Sequence, residues 1–189
     1  MTPHERHTEP LLHVVLVRPE IPNNAGNIGR TCMATGCALH LVHPMAFDTD
    51  EKAVRRAGMD YWHELDVREH ASLDAYLYAH DGARLWLTSG LPDLGTPHWD
   101  ATFERGDHIL FGTESAGLPE ELLRAHAERV VRLPMVAGVR GLNVASCVSA
   151  VLYEALRQLV AREPGLVDQH ATITHRASIS GVWRSGDNA

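Results

Sequence analysis

Short apolar runs alternate with stretches of helical periodicity along the chain, and this predicts an α/β protein with a mainly parallel sheet and helices on both faces. Two further observations agree. The apolar runs are brief and closed by proline or glycine, as buried strands are. One late segment, 143–162, is apolar over more than one face, as expected of a helix deep in a core or packed against a second subunit.

The elements follow in order. Residues 11–17 (LLHVVLV) read as a buried strand ended by Arg18-Pro19, and prolines 19 and 22 keep the next stretch extended. A helix is predicted over 24–35, stopped by Gly36, then a strand over 38–43 (ALHLVH) closed by Pro44. Residues 50–57 read as a short helix with acids at its start and Arg55 and Arg56 near its end, matching the helix dipole. A helix at 72–80 precedes strands at 84–89 (RLWLTS) and 108–112 (HILFG). Pro119-Glu120-Glu121 has the composition of a helix start, with proline first and carboxylates in the first turn. Residues 130–135 (VVRLPM) read as a strand broken by Pro134. In the long helix at 143–162, positions 144, 148, 151, 152, 155 and 159 form one apolar stripe, which 145, 147, 156 and 160 widen. The domain organisation expected is a polar extension over 1–10, one domain over 11–162 and a polar tail over 163–189.

Composition narrows the function classes. The chain has 189 residues, 44% of them hydrophobic, enough for one substantial core. No run approaches the roughly 20 apolar residues of a membrane span, and residues 1–10 lack the apolar region of a secretory signal. Three cysteines without a CxxC pair suit reduced thiols, so a cytoplasmic location is expected. The net charge of −7 argues mildly against nucleic acid, yet 16 of the 17 basic residues are arginine, the side chain best suited to bidentate phosphate contact. The 13 histidines show no HxH, HExxH or clustered Cys/His spacing. They are expected on the surface, with no metal.

Three segments carry chemistry. In 19–32 (PEIPNNAGNIGRTC), Asn23, Asn27, Arg30 and Thr31 share one helix face, with Ala25, Ile28, Gly29 and Cys32 on the other. An exposed helix more usually carries Glu and Lys than two amides and an arginine, so this face reads as a site. The spacing is not that of a dinucleotide fingerprint. In 110–122 (LFGTESAGLPEEL), a strand ends in a glycine-flanked loop that a ligand can approach closely. In 132–148 (RLPMVAGVRGLNVASCV), two glycines and Arg140 lead to Asn143, a good N-cap for the long helix.

Together these segments resemble the SPOUT superfamily of RNA methyltransferases, SpoU class, and within it the single-domain tRNA (cytidine/uridine-34) 2′-O-methyltransferases. Those proteins show PEIPxNxGNIxRTC, then FGxExxGLP, then PMxxxxRSLNLSxAVxxxxYEALRQ. This chain matches at Pro19, Asn27, Arg30, Thr31 and Cys32, at Phe111, Glu114, Gly117, Leu118 and Pro119, and at Pro134, Met135, Arg140, Leu142, Asn143, Tyr153, Glu154 and Ala155. Residues 56–61 (RAGMDY) also look like the family's RRAGLDY, and the resemblance spans about residues 11–160.

The resemblance implies a C-terminal trefoil knot, a homodimer, tRNA as substrate, and S-adenosylmethionine as cofactor with S-adenosylhomocysteine as product. Cofactor contacts map onto Thr88, Gly112, Leu133, Met135 and Gly141, and catalytic roles onto Arg30, Asn143, Glu114 and Arg140. Arg30 is implied beside the ribose hydroxyl. A guanidinium is in general a poor proton acceptor, so stabilising the developing alkoxide is the easier role. The chain departs from the family where RSLNLS reads RGLNVA, replacing two serines by Gly141 and Ala145. Four readings stay open at this level: wobble-ribose methylation, the same chemistry on another tRNA position or ribosomal RNA, a knotted RNA-binding protein without catalysis, and a generic nucleotide-binding α/β enzyme, against which the absent phosphate fingerprints argue.

Overall fold

The structure is a computed structural model and describes residues 9–49, 62–139 and 141–175. Seven strands form one sheet: β1 (His13–Val17), β2 (Ala38–Val42), β3 (Val67–His70), β4 (Leu85–Thr88), β5 (Thr96–Pro97), β6 (His108–Phe111) and β7 (Val130–Arg132). Their spatial order is β3-β2-β1-β6-β4-β7-β5, and every pairing is parallel. The helices are α1 (Pro22–Thr35), α2 (Leu73–Ala79), α3 (Glu120–Ala125) and α4 (Val144–Arg162).

The central strands are apolar on both sides because both sides are covered. From β1, Val14 and Leu16 enter one core with Ile28 of α1 and Val148 and Leu152 of α4. Val15 and Val17 enter the other with Tyr76 of α2 and Leu123 of α3. α1 packs against α4 on the first face. Asp107, fully buried at the start of β6, is satisfied by Arg84 Nε at 2.7 Å, Trp86 Nε1 at 2.9 Å and the Glu104 amide at 2.8 Å.

Local signals set most boundaries. Gly36 ends α1 at φ +66°, its amide donating to the Cys32 carbonyl. The Ser72 hydroxyl accepts from the Ala75 amide at the head of α2, and the Asn143 side chain accepts from the Ala145 and Ser146 amides at the head of α4. α1 begins two residues before the predicted start, with Pro22 in its first turn. β7 stops at Arg132, short of the predicted 135, and the helix predicted at 50–57 lies outside the described residues, as does RAGMDY.

Four features differ from expectation or go beyond it. β3 (VREH) is a strand despite its polarity, because it lies at the sheet edge and only one flank is paired. Residues 163–175 belong to the polar tail whose order the sequence leaves open, and they fold back: Leu166 and His175 are buried, and Arg105 pairs with Glu163 at 2.5 Å. The histidines are not scattered over the surface. His13, His40 and His108 are buried on one face of the sheet, brought together from three strands, which no local spacing could reveal. α4 is also long and apolar enough, by length and composition alone, to cross a membrane, against the expectation that no run is; here it is a core helix on the sheet. The described cysteines are free thiols, with Cys32 and Cys37 buried.

Candidate active site

In an all-parallel sheet every strand ends on the same rim. Here β1 leads outward to β2 and β3, whereas β6 and β4 lie on its other side. A crevice outside the carboxyl ends of the strands, at such a reversal, is the general ligand position of open α/β sheets. A cavity of about 980 Å³ lies there, lined by Val17, Thr88, Phe111, Gly112 and Val131 at or just beyond the strand ends. Its size falls in the range of small-molecule and cofactor pockets.

The three segments singled out in the sequence converge at its lip through one chain of hydrogen bonds. Glu114 Oε2 accepts from the Glu20 amide at 2.8 Å, and its Oε1 accepts from the Ile21 amide at 3.2 Å and from Asn24 Nδ2 at 2.9 Å. Asn24 Oδ1 accepts from Asn143 Nδ2 at 2.9 Å, while Asn143 Oδ1 caps α4. A reciprocal pair closes the loop, because Glu20 accepts from the amide and hydroxyl of Ser115 at 2.9 and 2.7 Å. One carboxylate thus fastens the loop after β6 to the start of α1, and one amide pair fastens α1 to the start of α4.

That loop is unusually tight. Thr113 and Gly117 exchange amide-to-carbonyl bonds at 3.2 and 2.9 Å, and Gly117 has φ +76°. A Cβ on Gly112 would stand 1.9 Å from the Gly117 carbonyl carbon, so no side chain fits there. Gly141 differs, since nothing lies within 4 Å of its Cβ position.

Thr88, Gly112, Leu133, Met135 and Gly141 all border the cavity, as do Glu114 and Asn143. The Thr88 hydroxyl donates to the Leu110 carbonyl at 3.0 Å, which fixes the end of β4. Arg30 is not part of the wall. It lies on the exposed face of α1 with Asn23 and Asn27, opposite buried Ala25, Ile28, Gly29 and Cys32, as the helical wheel predicts. Arg140 lies outside the described residues.

Sequence reasoning missed Asn24, Glu20 and Arg18. Asn24 is buried and joins the two ends of the network. The doubled Asn23-Asn24 was the available signal, because only one of two adjacent residues can share the exposed face. Arg18 directly follows β1 on the cavity rim, exposed and at φ +52°, a left-handed conformation that costs a non-glycine residue about 1 kcal/mol or more. Cys147 also borders the cavity, and burial raises its thiol above the ordinary cysteine value, which disfavours a nucleophilic role.

The sequence profile of the SpoU rRNA Methylase family matches residues 11–153. The chain belongs to this family. Among its relatives, the tRNA (cytidine(34)-2′-O)-methyltransferase of Escherichia coli (strain K12) is 44% identical over 151 residues, 79% of this chain and 94% of that protein. The enzyme of the same name from Saccharophagus degradans is 42% identical over 151 residues, 79% and 96% of the two chains. A solved structure described as "Structural insights into the 2-OH methylation of C/U34 on tRNA" superposes with TM-score 0.72 at 45% identity, covering 80% of this chain and 97% of that one. The SpoU methyltransferase AviRb from Streptomyces viridochromogenes, in complex with the cofactor AdoMet, superposes with TM-score 0.67 at 28% identity, covering 81% of this chain and 59% of that one.

Proposed function

We propose that this SpoU-family chain methylates the ribose 2′-hydroxyl at the wobble position of tRNA, position 34, cytidine or uridine, using S-adenosylmethionine. The observation that carries this reading is the convergence of all three family segments on one cavity at the carboxyl rim of the sheet. Relatives above 40% identity that are named for this reaction support it, as does the neighbouring fold solved with AdoMet.

The cavity suits the cofactor. Leu133 and Met135 offer apolar wall, Gly112 lets backbone approach without a side chain, and the strand ends present amide and carbonyl groups. When bound, S-adenosylmethionine supplies a methyl group already activated by its sulfonium, so the protein has chiefly to align the acceptor and stabilise charge on its oxygen. Arg30, exposed where an RNA backbone can reach it, would stabilise the negative charge that develops on O2′ while the proton passes to solvent water. Glu114 and Asn143 hold the loops around the acceptor, Arg140 contacts RNA or the neighbouring subunit, and Arg18 adds a cation at the rim. Exposed Ile21, Val136, Val139 and Leu142 are the kind of apolar surface that a homodimer would cover, and we include that dimer, a knotted C-terminal segment and cytoplasmic action in the reading.

The test is an assay of purified protein with labelled S-adenosylmethionine and unmodified total tRNA, followed by nucleoside analysis and fragment mapping. Label on the anticodon wobble ribose is expected. Label elsewhere on tRNA or on ribosomal RNA would overturn the substrate, and tRNA binding without label would overturn catalysis.

A further inference from the structure

We propose that His13, His40 and His108 form a binding site for one divalent transition-metal ion of the zinc class, distinct from the cavity at the carboxyl rim. One ring nitrogen from each lies within 4.8 Å of the others, and all three side chains are buried. The site is built by register. His13 and His108 are paired neighbours that open β1 and β6, and His40 lies in β2 opposite Val15. β1 runs four steps from His13 to Val17 on the cavity wall, about 13 Å, so the two sites occupy opposite ends of the same strands.

Three features favour a metal over an ordinary polar core. First, among the described residues no carboxylate is hydrogen-bonded to these rings; each imidazole meets another imidazole or a phenol. His13 Nδ1 lies 2.9 Å from His40 Nε2, so both nitrogens face the shared space. Secondly, two of the three outer nitrogens, those of His40 and His108, are already oriented by partners, as metal-bound imidazoles usually are. His40 Nδ1 meets His70 Nε2 at 2.9 Å, and His108 Nδ1 meets the Tyr76 hydroxyl at 2.5 Å, which leaves Nε2 of His108 for a ligand. Thirdly, the three rings converge from three neighbouring strands and are buried, so a bound ion would be held away from bulk water.

An all-imidazole donor set suits zinc, copper or nickel rather than magnesium or calcium. A tetrahedral ion needs nitrogens about 2.0–2.1 Å from it, so small side-chain movements close the site. The fourth position falls to water or to His80, whose ring centroid is 5.0 Å from that of His108 and 5.2 Å from that of His40. His80 also lines a second cavity of about 380 Å³, a route for entry. The Arg68 charge opposes a cation here, but Asp66 engages that guanidinium through two bonds of 3.0 and 2.8 Å.

The experiment uses tag-free full-length protein, stripped with chelator, incubated with zinc sulfate and gel-filtered before elemental analysis. About one zinc per chain is expected in the wild type and in a control variant at exposed His170, His170→Ala. His40→Gln is expected to lose at least 80% of the zinc, and His70→Ala to keep the stoichiometry with about 10–100-fold weaker affinity. X-ray absorption on the loaded wild type, which does not depend on any variant folding, is expected to show three imidazole scatterers. Less than 0.1 zinc per chain, retention by a folded His40→Gln, or a spectrum with fewer than two imidazoles would each overturn the proposal.

Discussion

Removing the Glu114 carboxylate tests whether one side chain holds the cavity lip together. Its oxygens accept three hydrogen bonds from the start of α1, two of them partly buried and the third, from Ile21, exposed and longer at 3.2 Å. Hydrogen bonds to a charged group contribute about 1.5–3 kcal/mol each, and water substitutes for the exposed one. Glu114→Ala is therefore expected to cost about 3 kcal/mol, or about 6–12 °C in Tm for a chain of this size. Glu114→Gln is expected to behave similarly. If its amide oxygen serves Ile21 and Asn24, its NH2 meets the Glu20 N–H. If it flips, Asn24 must flip as well and present its NH2 to Asn143 Nδ2. Urea unfolding measures the first effect and single-turnover methylation the second, since a displacement of order 1 Å at the lip costs on the order of 100-fold in rate. Losses below about 1 kcal/mol in both variants, with full methylation, would refute this account of the network.

Other outcomes follow from the same geometry. Arg30→Ala is expected to abolish methylation while S-adenosylmethionine binding by calorimetry and the oligomeric state by light scattering stay unchanged; an active variant would remove Arg30 from its role. Gly112→Ala has no space against the Gly117 backbone and is expected to lose cofactor binding and destabilise by about 3 kcal/mol or more, whereas Gly141→Ser meets nothing and should leave Tm within about 1 °C. A gain in rate by Gly141→Ser would show that the family's hydroxyl contributes. In chelator-treated protein, His13, His40 and His108 are held down to about 4, 2 and 3, mainly by burial, and are neutral when folded. The unfolded chain takes up protons near 6.5, so stability falls as pH drops through that value and levels off only below the folded values. Between pH 7 and pH 5 each ring is expected to cost roughly 2 kcal/mol, and an unfolding midpoint that does not move over that interval would contradict the burial.

Much of this was legible in the sequence because the deciding interactions are local. The Ser72 cap, the Gly36 stop and the Asn143 cap are set by residues within a turn of one another. The exposed and buried faces of α1 follow from its periodicity. What escaped is non-local. Asn24 matters because its two partners come from positions 114 and 143, and a single residue type carries no sign of partners that distant. The histidine cluster is assembled by sheet register from β1, β2, β3 and β6, so a search for short spacings was bound to pass it over. β3 escaped because an edge strand needs little apolar character.

The position of β7 bears on how the chain reaches this state. β5 has β7 as its sole partner among the described strands, and β7 enters between β4 and β5, both made earlier in synthesis. β1 likewise waits for β6, nearly a hundred residues downstream, to gain its second neighbour. The β4-β7-β5 side of the sheet therefore closes last, after long loops have been gathered, and such non-local pairing slows folding. Refolding from denaturant is expected in the millisecond-to-second range or slower, with protection of β4 amides from exchange appearing together with that of β7. A nascent chain held on the ribosome before residue 130 would keep one flank of β4 and all of β5 unpaired, which makes release of the last third of the protein the step that commits it to the native sheet.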